Sequence, residues 1–295
     1  MKTYLAEFFE IFDYPAEARK TLLDAYDTLH ANEDTAAKWD AMIDEYIANI
    51  DCDFSVQLKT CETLIMPTTV SVFTAQLLLF ICHSAHLRKM YKEKGIDDRI
   101  WYDSMLDLKA KLLECYTVYG VWGSFVASWF PRFFKMTRFA LGRLQFETKK
   151  FEKKYEKDGI VLDEESIVLN VHSPRTLTPM TPEACDAAFR AAAKFYASEL
   201  GDTPCTFVCS SWLLFPEHET MLPETSNIRA FLKTFDIIDS GYYGNDSPNL
   251  WRLFDTMEKN PNRLPADSTL RRAYLDRMRR GEKLGWGYGV YCPKF

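Results

Sequence analysis

The sequence lacks any pair of cysteines separated by two residues, the spacing that zinc knuckles and redox-active motifs use. The closest pair, Cys205 and Cys209, lies in an apolar run typical of a β-strand, where residues four apart are too distant to share a metal ion easily. The other cysteines are scattered, at Cys52, Cys61, Cys82, Cys115, Cys185 and Cys292. We therefore expect no metal site, and free thiols in a reducing cytoplasm.

The sequence also lacks an excess of positive charge. Its 36 Lys and Arg residues against 42 Asp and Glu residues give a net charge of −6, which provides no overall attraction for nucleic acid or for an anionic membrane. The first residues, MKTYLAEFFEIFDYP, are partly acidic and contain no apolar core of a secretory signal. We expect a cytoplasmic protein that binds neither nucleic acid nor membrane, so an anionic ligand must be bound by local donors.

One segment has the length of a membrane span, residues 64–82 (LIMPTTVSVFTAQLLLFIC). Its interior contains Pro67, Ser71 and Gln76 as well as threonines, which is unusual for a span. Proline is common in the first turn of a helix. The pattern favours a buried core helix that begins near Pro67.

The spacing of apolar residues changes along the chain. It is helical from residue 3 to about residue 135, which predicts five or six helices. Residues 137–148 alternate in part and, with 166–172, predict an antiparallel hairpin; short strands at 205–210 and 285–291 then alternate with helices. The predicted fold class is α+β, with a helical N-terminal domain (1–134) and a mixed-sheet α/β C-terminal domain (135–295).

The loop at residues 173–180 (SPRTLTPM) joins a predicted strand to a helix whose start is well marked by Thr181, Pro182 and Glu183. The first amides of a helix lack partners within it and can bind an anion, and Arg175 could add a forked donor for a phosphate. The alternative is an ordinary strand-to-helix connection.

Four polar residues lie at predicted strand ends, where α/β folds place ligands. Ser210 and Ser211 follow one strand, but the glycines of a nucleophile elbow are missing, so capping and packing are the simpler interpretation. His172 ends another strand and Glu147 lies near the end of its hairpin partner, so both could face one crevice. Either could take a proton from an amine, although a strand-end histidine is often structural.

Glycines alternate with bulky residues in the last predicted strand, at Gly285, Gly287 and Gly289. One face of that strand is therefore bare of side chains. We expect another part of the chain, or a ligand, to approach this face closely.

Three segments together resemble a known family: residues 138–146 (RFALGRLQF), 171–174 (VHSP) and 209–216 (CSSWLLFP, followed by Ser226-Asn227-Ile228). The family consists of bacterial proteins that pair a helical acyltransferase N-terminal domain with a GNAT-like C-terminal domain. The resemblance implies that acyl-CoA, as acetyl-CoA or another acyl-CoA, lies between the strands at 166–172 and 205–210, with its pyrophosphate on the loop at 173–180. This loop departs from the GNAT pattern because it contains no glycine.

The resemblance predicts an acyl-CoA-dependent N-acyltransferase that modifies an amine on a small-molecule acceptor. Glu147 or His172 is the expected base, and Ser173, Arg175, Thr181, Ser210 and Ser211 are the expected cofactor-binding residues. One alternative is a non-catalytic module that binds a small molecule or a protein on the same fold. Another is an assembly subunit whose helical half binds a partner. No prediction is made of the acceptor, the acyl length or the oligomeric state.

Overall fold

The computed structural model describes residues 1–201, 203–244 and 250–295. The chain divides into two units, Met1–Phe139 and Ala140–Phe295; the sequence pattern placed this boundary between residues 134 and 135. The first unit is helical and the second contains a mixed sheet with helices, so the predicted α+β class is confirmed.

The first unit is built from amphipathic helices that bury their apolar stripes against one another. The side chains of Asn32, Asp53, Ser71 and Asp97 each accept a hydrogen bond from the first turn of the helix that follows. The helices are α1 (Lys2–Ile11), α2 (Ala16–His30), α3 (Glu33–Ala48), α4 (Phe54–Ile65), α5 (Val72–Glu93), α6 (Asp98–Tyr119) and the short α7 (Pro131–Phe134).

Helix α5 is the core helix that the sequence predicted within residues 64–82, but its start is different. It begins at Val72 with Ser71 as the cap, and Pro67 lies in the turn after α4 and outside α5. The Ser71 hydroxyl can satisfy a first-turn amide, which Pro67 has no side-chain group to do. None of the helices in the described part of the chain combines the length and apolarity that a membrane crossing requires.

The second unit contains a six-stranded sheet in the order β1-β2-β5-β6-β8-β7, and a separate hairpin of β3 and β4. The predicted strand at 137–148 is in fact two strands, because Gly142 turns the chain with a φ of 72°. The strands are β1 (Phe139–Leu141), β2 (Leu144–Lys150), β3 (Tyr155–Lys157), β4 (Ile160–Leu162), β5 (Ile167–His172), β6 (Phe207–Ser211), β7 (Asp236–Tyr242) and β8 (Gly285–Tyr291).

One face of this sheet is covered by helix α8 (Pro182–Phe195), whose Phe189 ring lies 6.0 Å from Phe146 on β2 and 4.8 Å from Phe207 on β6. Helix α8 ends at Phe195, and a short helix follows. The helices of this unit are α8 (Pro182–Phe195), α9 (Ala197–Leu200), α10 (His218–Met221), α11 (Asn227–Thr234), α12 (Leu250–Phe254) and α13 (Thr269–Arg279).

The glycine-bearing strand β8 is approached closely by the turn that follows β6. A β-carbon added at Gly287 would lie 2.0 Å from the Leu214 carbonyl oxygen, and one at Gly285 would lie 2.2 Å from the Phe215 ring. The expected close approach is therefore present, and its source is this chain's own turn at Trp212–Leu214. This contact fixes the segment after β6 against the sheet.

Candidate functional site

The two central strands β5 and β6 are parallel and separate from each other before they end. Their paired residues are only Leu169 with Phe207 and Asn170 with Val208. Strand β5 continues to His172 and β6 to Ser211, and each stays paired with its other neighbour over this stretch. The sheet therefore opens as a wedge between the C-terminal ends of β5 and β6, which the resemblance implied.

The predicted pair Glu147 and His172 lies beside this wedge and is in direct contact. Antiparallel pairing places Glu147 opposite Asn170 and Gln145 opposite His172, so all four side chains are on one face of the sheet. The His172 Nε2 atom is 2.8 Å from Glu147 Oε1. The Glu147 side chain is 6% exposed and that of His172 is 22% exposed, so the imidazole is the more accessible group.

Asn170 completes this cluster and is a site residue that was not predicted from the sequence. Its Nδ2 atom donates to Glu147 Oε1 at 3.0 Å and lies 3.0 Å from His172 Nε2. A polar residue within the apolar run SIVLNVH was the available signal, because such a residue on a central strand needs a partner. Asn170 helps to hold the carboxylate and the imidazole in one arrangement.

Ser210 and Ser211 lie on the other side of the wedge and have different roles. Ser210 is exposed, and because Asn170 pairs with Val208, Ser210 faces the same side of the sheet as His172. The Ser211 hydroxyl accepts a hydrogen bond from the Leu213 amide at 3.1 Å. Ser211 therefore caps the turn after β6, and Ser210 is the serine that a ligand in the wedge can meet.

The start of α8 follows the predicted pattern but offers few donors. The Thr181 hydroxyl accepts from the Ala184 amide at 3.2 Å, and the Thr181 carbonyl accepts from the Cys185 amide at 3.0 Å. Pro182 has no N–H group. Among the described residues, the Glu183 amide is the one first-turn donor that has no acceptor in the chain.

Arg175, predicted to bind a phosphate, is ion-paired with Asp255. Its guanidinium contacts both carboxylate oxygens of Asp255, and Arg271 also donates to Asp255, at 2.6 Å. A phosphate would therefore compete with Asp255 for Arg175. Ser173 is half-buried, and its hydroxyl lies 3.1 Å from the Met180 sulfur.

A groove of about 100 Å³ runs between α8 and α11. Met180, Pro182 and Cys185 line one side of it, and Asn227 and Phe231 line the other. It thus reaches the loop that joins β5 to α8. Across residues 1–201, 203–244 and 250–295, no three His, Cys, Asp or Glu side chains are grouped closely enough to hold a metal ion.

A mixed sheet with a wedge between two parallel central strands, and a helix after the first of them, is the architecture of GNAT acyltransferases. The chain belongs to the family of the GNAT-like C-terminal domain, whose model matches residues 139–291. Residues 3–136 match the N-acyltransferase N-terminal domain. The resemblance is therefore confirmed, and the domain composition is that of an acyltransferase.

Solved structures of acyltransferases share the fold over nearly the whole chain. One, in complex with decanoyl-CoA, has a TM-score of 0.77 and 20% sequence identity, and the alignment covers 98% of this chain and 87% of that one. Another, in complex with decanoyl-CoA and teicoplanin, has a TM-score of 0.74 and 18% identity, with 97% and 87% covered. A mutant acyltransferase in complex with octanoyl-CoA aligns equally well, with a TM-score of 0.74, 18% identity, and 98% and 87% covered. No curated protein is detectably similar in sequence.

Proposed function

We propose that the protein transfers an acyl group from acyl-CoA to an amine of a small-molecule acceptor. The observation that carries this proposal is the wedge: β5 and β6 stop pairing after Asn170 and Val208, and the polar pair of Glu147 and His172 lies beside the opening. Acyltransferases with the same fold have been crystallised with octanoyl-CoA and decanoyl-CoA, and one also with teicoplanin. These complexes support acyl-CoA as the co-substrate.

In the proposed reaction the acceptor nitrogen attacks the thioester carbonyl. The carbon–sulfur bond breaks, an amide forms, the nitrogen loses a proton, and CoA leaves as a thiol. Alignment of the amine with the thioester supplies much of the acceleration, and a base that removes the proton adds about a hundredfold to ten-thousandfold.

His172 is proposed as this base, with Glu147 as the residue that orients it. The imidazole is the more exposed of the two, and its Nε2 atom faces the carboxylate at 2.8 Å. With Nε2 held there, Nδ1 is the nitrogen that takes the proton, and the carboxylate stabilises the imidazolium that forms. Ser210, on the same face across the wedge, is proposed to contact the acyl-CoA.

Two measurements test this proposal. Isothermal titration with acetyl-CoA, octanoyl-CoA and decanoyl-CoA should give saturable binding to at least one of them. Release of free CoA thiol should then depend on an added primary amine, from a panel of an amino sugar, a polyamine and an amino acid ester. If none of the three acyl-CoAs binds, the proposal is wrong.

A non-catalytic binding module is the second candidate, and the start of α8 favours it. Glycine is absent from residues 173–180, and the Ala184 and Cys185 amides already have acceptors. This candidate predicts ligand binding with no amine-dependent thiol release. The same two measurements therefore distinguish it from the enzyme.

A further inference from the structure

Arg143 is a buried cation without a partner. Its side chain belongs to the turn between β1 and β2, and the residue is only 8% exposed. The Nε and Nη1 atoms are buried, and no acceptor among the described residues lies within hydrogen-bond distance of either. Burying a guanidinium in this way costs free energy that nothing in the described chain offsets.

The pairing of β2 with β5 determines where this turn lies. Gln145 is opposite His172 in an antiparallel pair, so the residues before Gln145 run beside those that follow His172. Arg143 is therefore at the end of the sheet where β5 leads into the loop at 173–180. The charge of Arg143 also acts on Cys185, which is in the first turn of α8 and lines the groove between α8 and α11.

Neither Cys185 nor Asp186, at the start of α8, neutralises Arg143. Burial raises the pKa of the Cys185 thiol, so this side chain is uncharged at neutral pH. The Asp186 carboxylate, one residue further along α8, is paired with Arg190 at 2.9 Å. Burial also lowers the pKa of Arg143, as expected for a cation that lacks a counter-ion.

The start of α8 needs such a cation if it is to hold a phosphate. The helix has a partial positive charge at this end. Among the described residues, however, the Glu183 amide is the one first-turn donor that has no acceptor and could bind a ligand. GNAT loops ordinarily supply further backbone donors, and the glycine-free loop here departs from that pattern. A guanidinium provides several N–H donors and a full charge in a fixed geometry.

We propose that Arg143 binds the pyrophosphate of the acyl-CoA at the start of α8 and replaces the donors of a glycine-rich loop. This inference rests on the proposed function, since it requires acyl-CoA to enter the wedge. The unpaired guanidinium is then an anion site that the ligand completes. The free-energy cost of burying the unpaired guanidinium in the ligand-free protein is offset when the phosphate binds.

Arg143→Met tests the proposal because it removes the charge and keeps most of the side-chain volume. The variant and wild type are each titrated with CoA, 3′-dephospho-CoA and pantetheine. Comparing the three affinities distinguishes the contribution of the 3′-phosphate from that of the pyrophosphate. We expect the variant to bind CoA and 3′-dephospho-CoA about tenfold or more weakly, and pantetheine as well as wild type does. The exposed Arg190→Met on α8 is the matched control and should bind all three normally.

The melting temperature of the ligand-free protein gives an independent readout. Because an unpaired buried charge is destabilising, Arg143→Met should melt at the same temperature as wild type or higher. A lower melting temperature would indicate a structural role and overturn the proposal, and so would unchanged CoA affinity. If CoA affinity falls while 3′-dephospho-CoA affinity is normal, Arg143 contacts the 3′-phosphate and the pyrophosphate assignment is wrong. Wild type that binds no CoA would refute the proposed function itself.

Discussion

His172 Nε2 and Glu147 Oε1 are 2.8 Å apart although the two residues are on different strands of the sheet. Antiparallel pairing places them diagonally on one face, and Asn170, directly opposite Glu147, donates to the same carboxylate oxygen. Glu147 Oε1 is thus shared by the imidazole and the Asn170 amide at the edge of the wedge. Replacing His172 and replacing Glu147 should therefore affect turnover to different extents.

His172→Ala should lower amine-dependent thiol release about a hundredfold or more, because the proton of the acceptor then has no base. The KM for acyl-CoA should change little, since the imidazole acts on the acceptor. Glu147→Gln keeps the side-chain shape and should cost about tenfold, with a shifted pH profile of turnover. Steady-state kinetics of both variants check this assignment; full turnover in both would place the base elsewhere.

Ser210→Trp should weaken acyl-CoA binding about tenfold or more, because a bulky side chain would then occupy the face of the wedge beside His172. Ser210 is exposed, so folding should be affected little. Ser240→Trp, at an exposed serine on the edge strand β7, is the control. Titration with decanoyl-CoA and a thermal melt of each variant separate loss of binding from loss of structure. Equal affinities in the two variants would argue against a ligand in the wedge.

Gly287→Ala should destabilise the second unit by about 1–3 kcal/mol, as overpacking in a tight core does. The added β-carbon would lie 2.0 Å from the Leu214 carbonyl oxygen, a backbone atom that cannot rotate away. At Gly244 a β-carbon meets nothing within 4 Å, so Gly244→Ala serves as the control. Urea unfolding measures both. If Gly287→Ala leaves the free energy of unfolding unchanged, the turn after β6 can move away from β8.

Acid should destabilise the protein through two buried histidines. Burial lowers the pKa of His83 to about 3 and that of His218 to about 4, against about 6.5 in an unfolded chain. Below about pH 6.5 the unfolded state therefore binds more protons, and the free energy of unfolding falls as the pH drops toward these lower values. Each histidine contributes at most about 1.4 kcal/mol per pH unit.

Urea unfolding between about pH 7 and pH 5 measures this dependence. His218→Gln removes one of the two contributions, so the free energy of unfolding of this variant should depend less steeply on pH. His218 Nδ1 donates to the Leu213 carbonyl at 3.3 Å, which leaves Nε2 to accept from the Tyr274 hydroxyl at 2.6 Å. The variant should therefore also be less stable at neutral pH. A pH dependence as steep as that of wild type would show that His218 is not responsible.

Local patterns predicted much of the fold because caps and periodicity depend on neighbouring residues. Thr181 caps α8, and the last strand spans Gly285–Tyr291, both as expected. The start of α5 was misplaced because Pro67 and Ser71 are both acceptable near a helix start, and the choice depends on packing. The wedge between β5 and β6 was predicted only from the resemblance, which implied that these two strands lie next to each other.

The ion pairs of the candidate site could not be predicted in the same way. Arg175 finds its partner Asp255 eighty positions along the chain, and nothing in the local sequence indicates this pairing. The burial of Arg143 could not be predicted either, because a lone arginine in a turn normally points to solvent. Its burial depends on how the turn packs in the folded protein.

The protein contains eight cysteines, and the reaction proposed for it releases a thiol, CoA, in every cycle. All are free, and burial raises the pKa of each thiol, to about 11 even for the half-buried Cys205. Disulfide exchange requires a thiolate, which these side chains rarely form near neutral pH. The protein should therefore form few mixed disulfides when CoA disulfide accumulates, and should stay active under mild oxidation that inactivates enzymes with exposed thiolates.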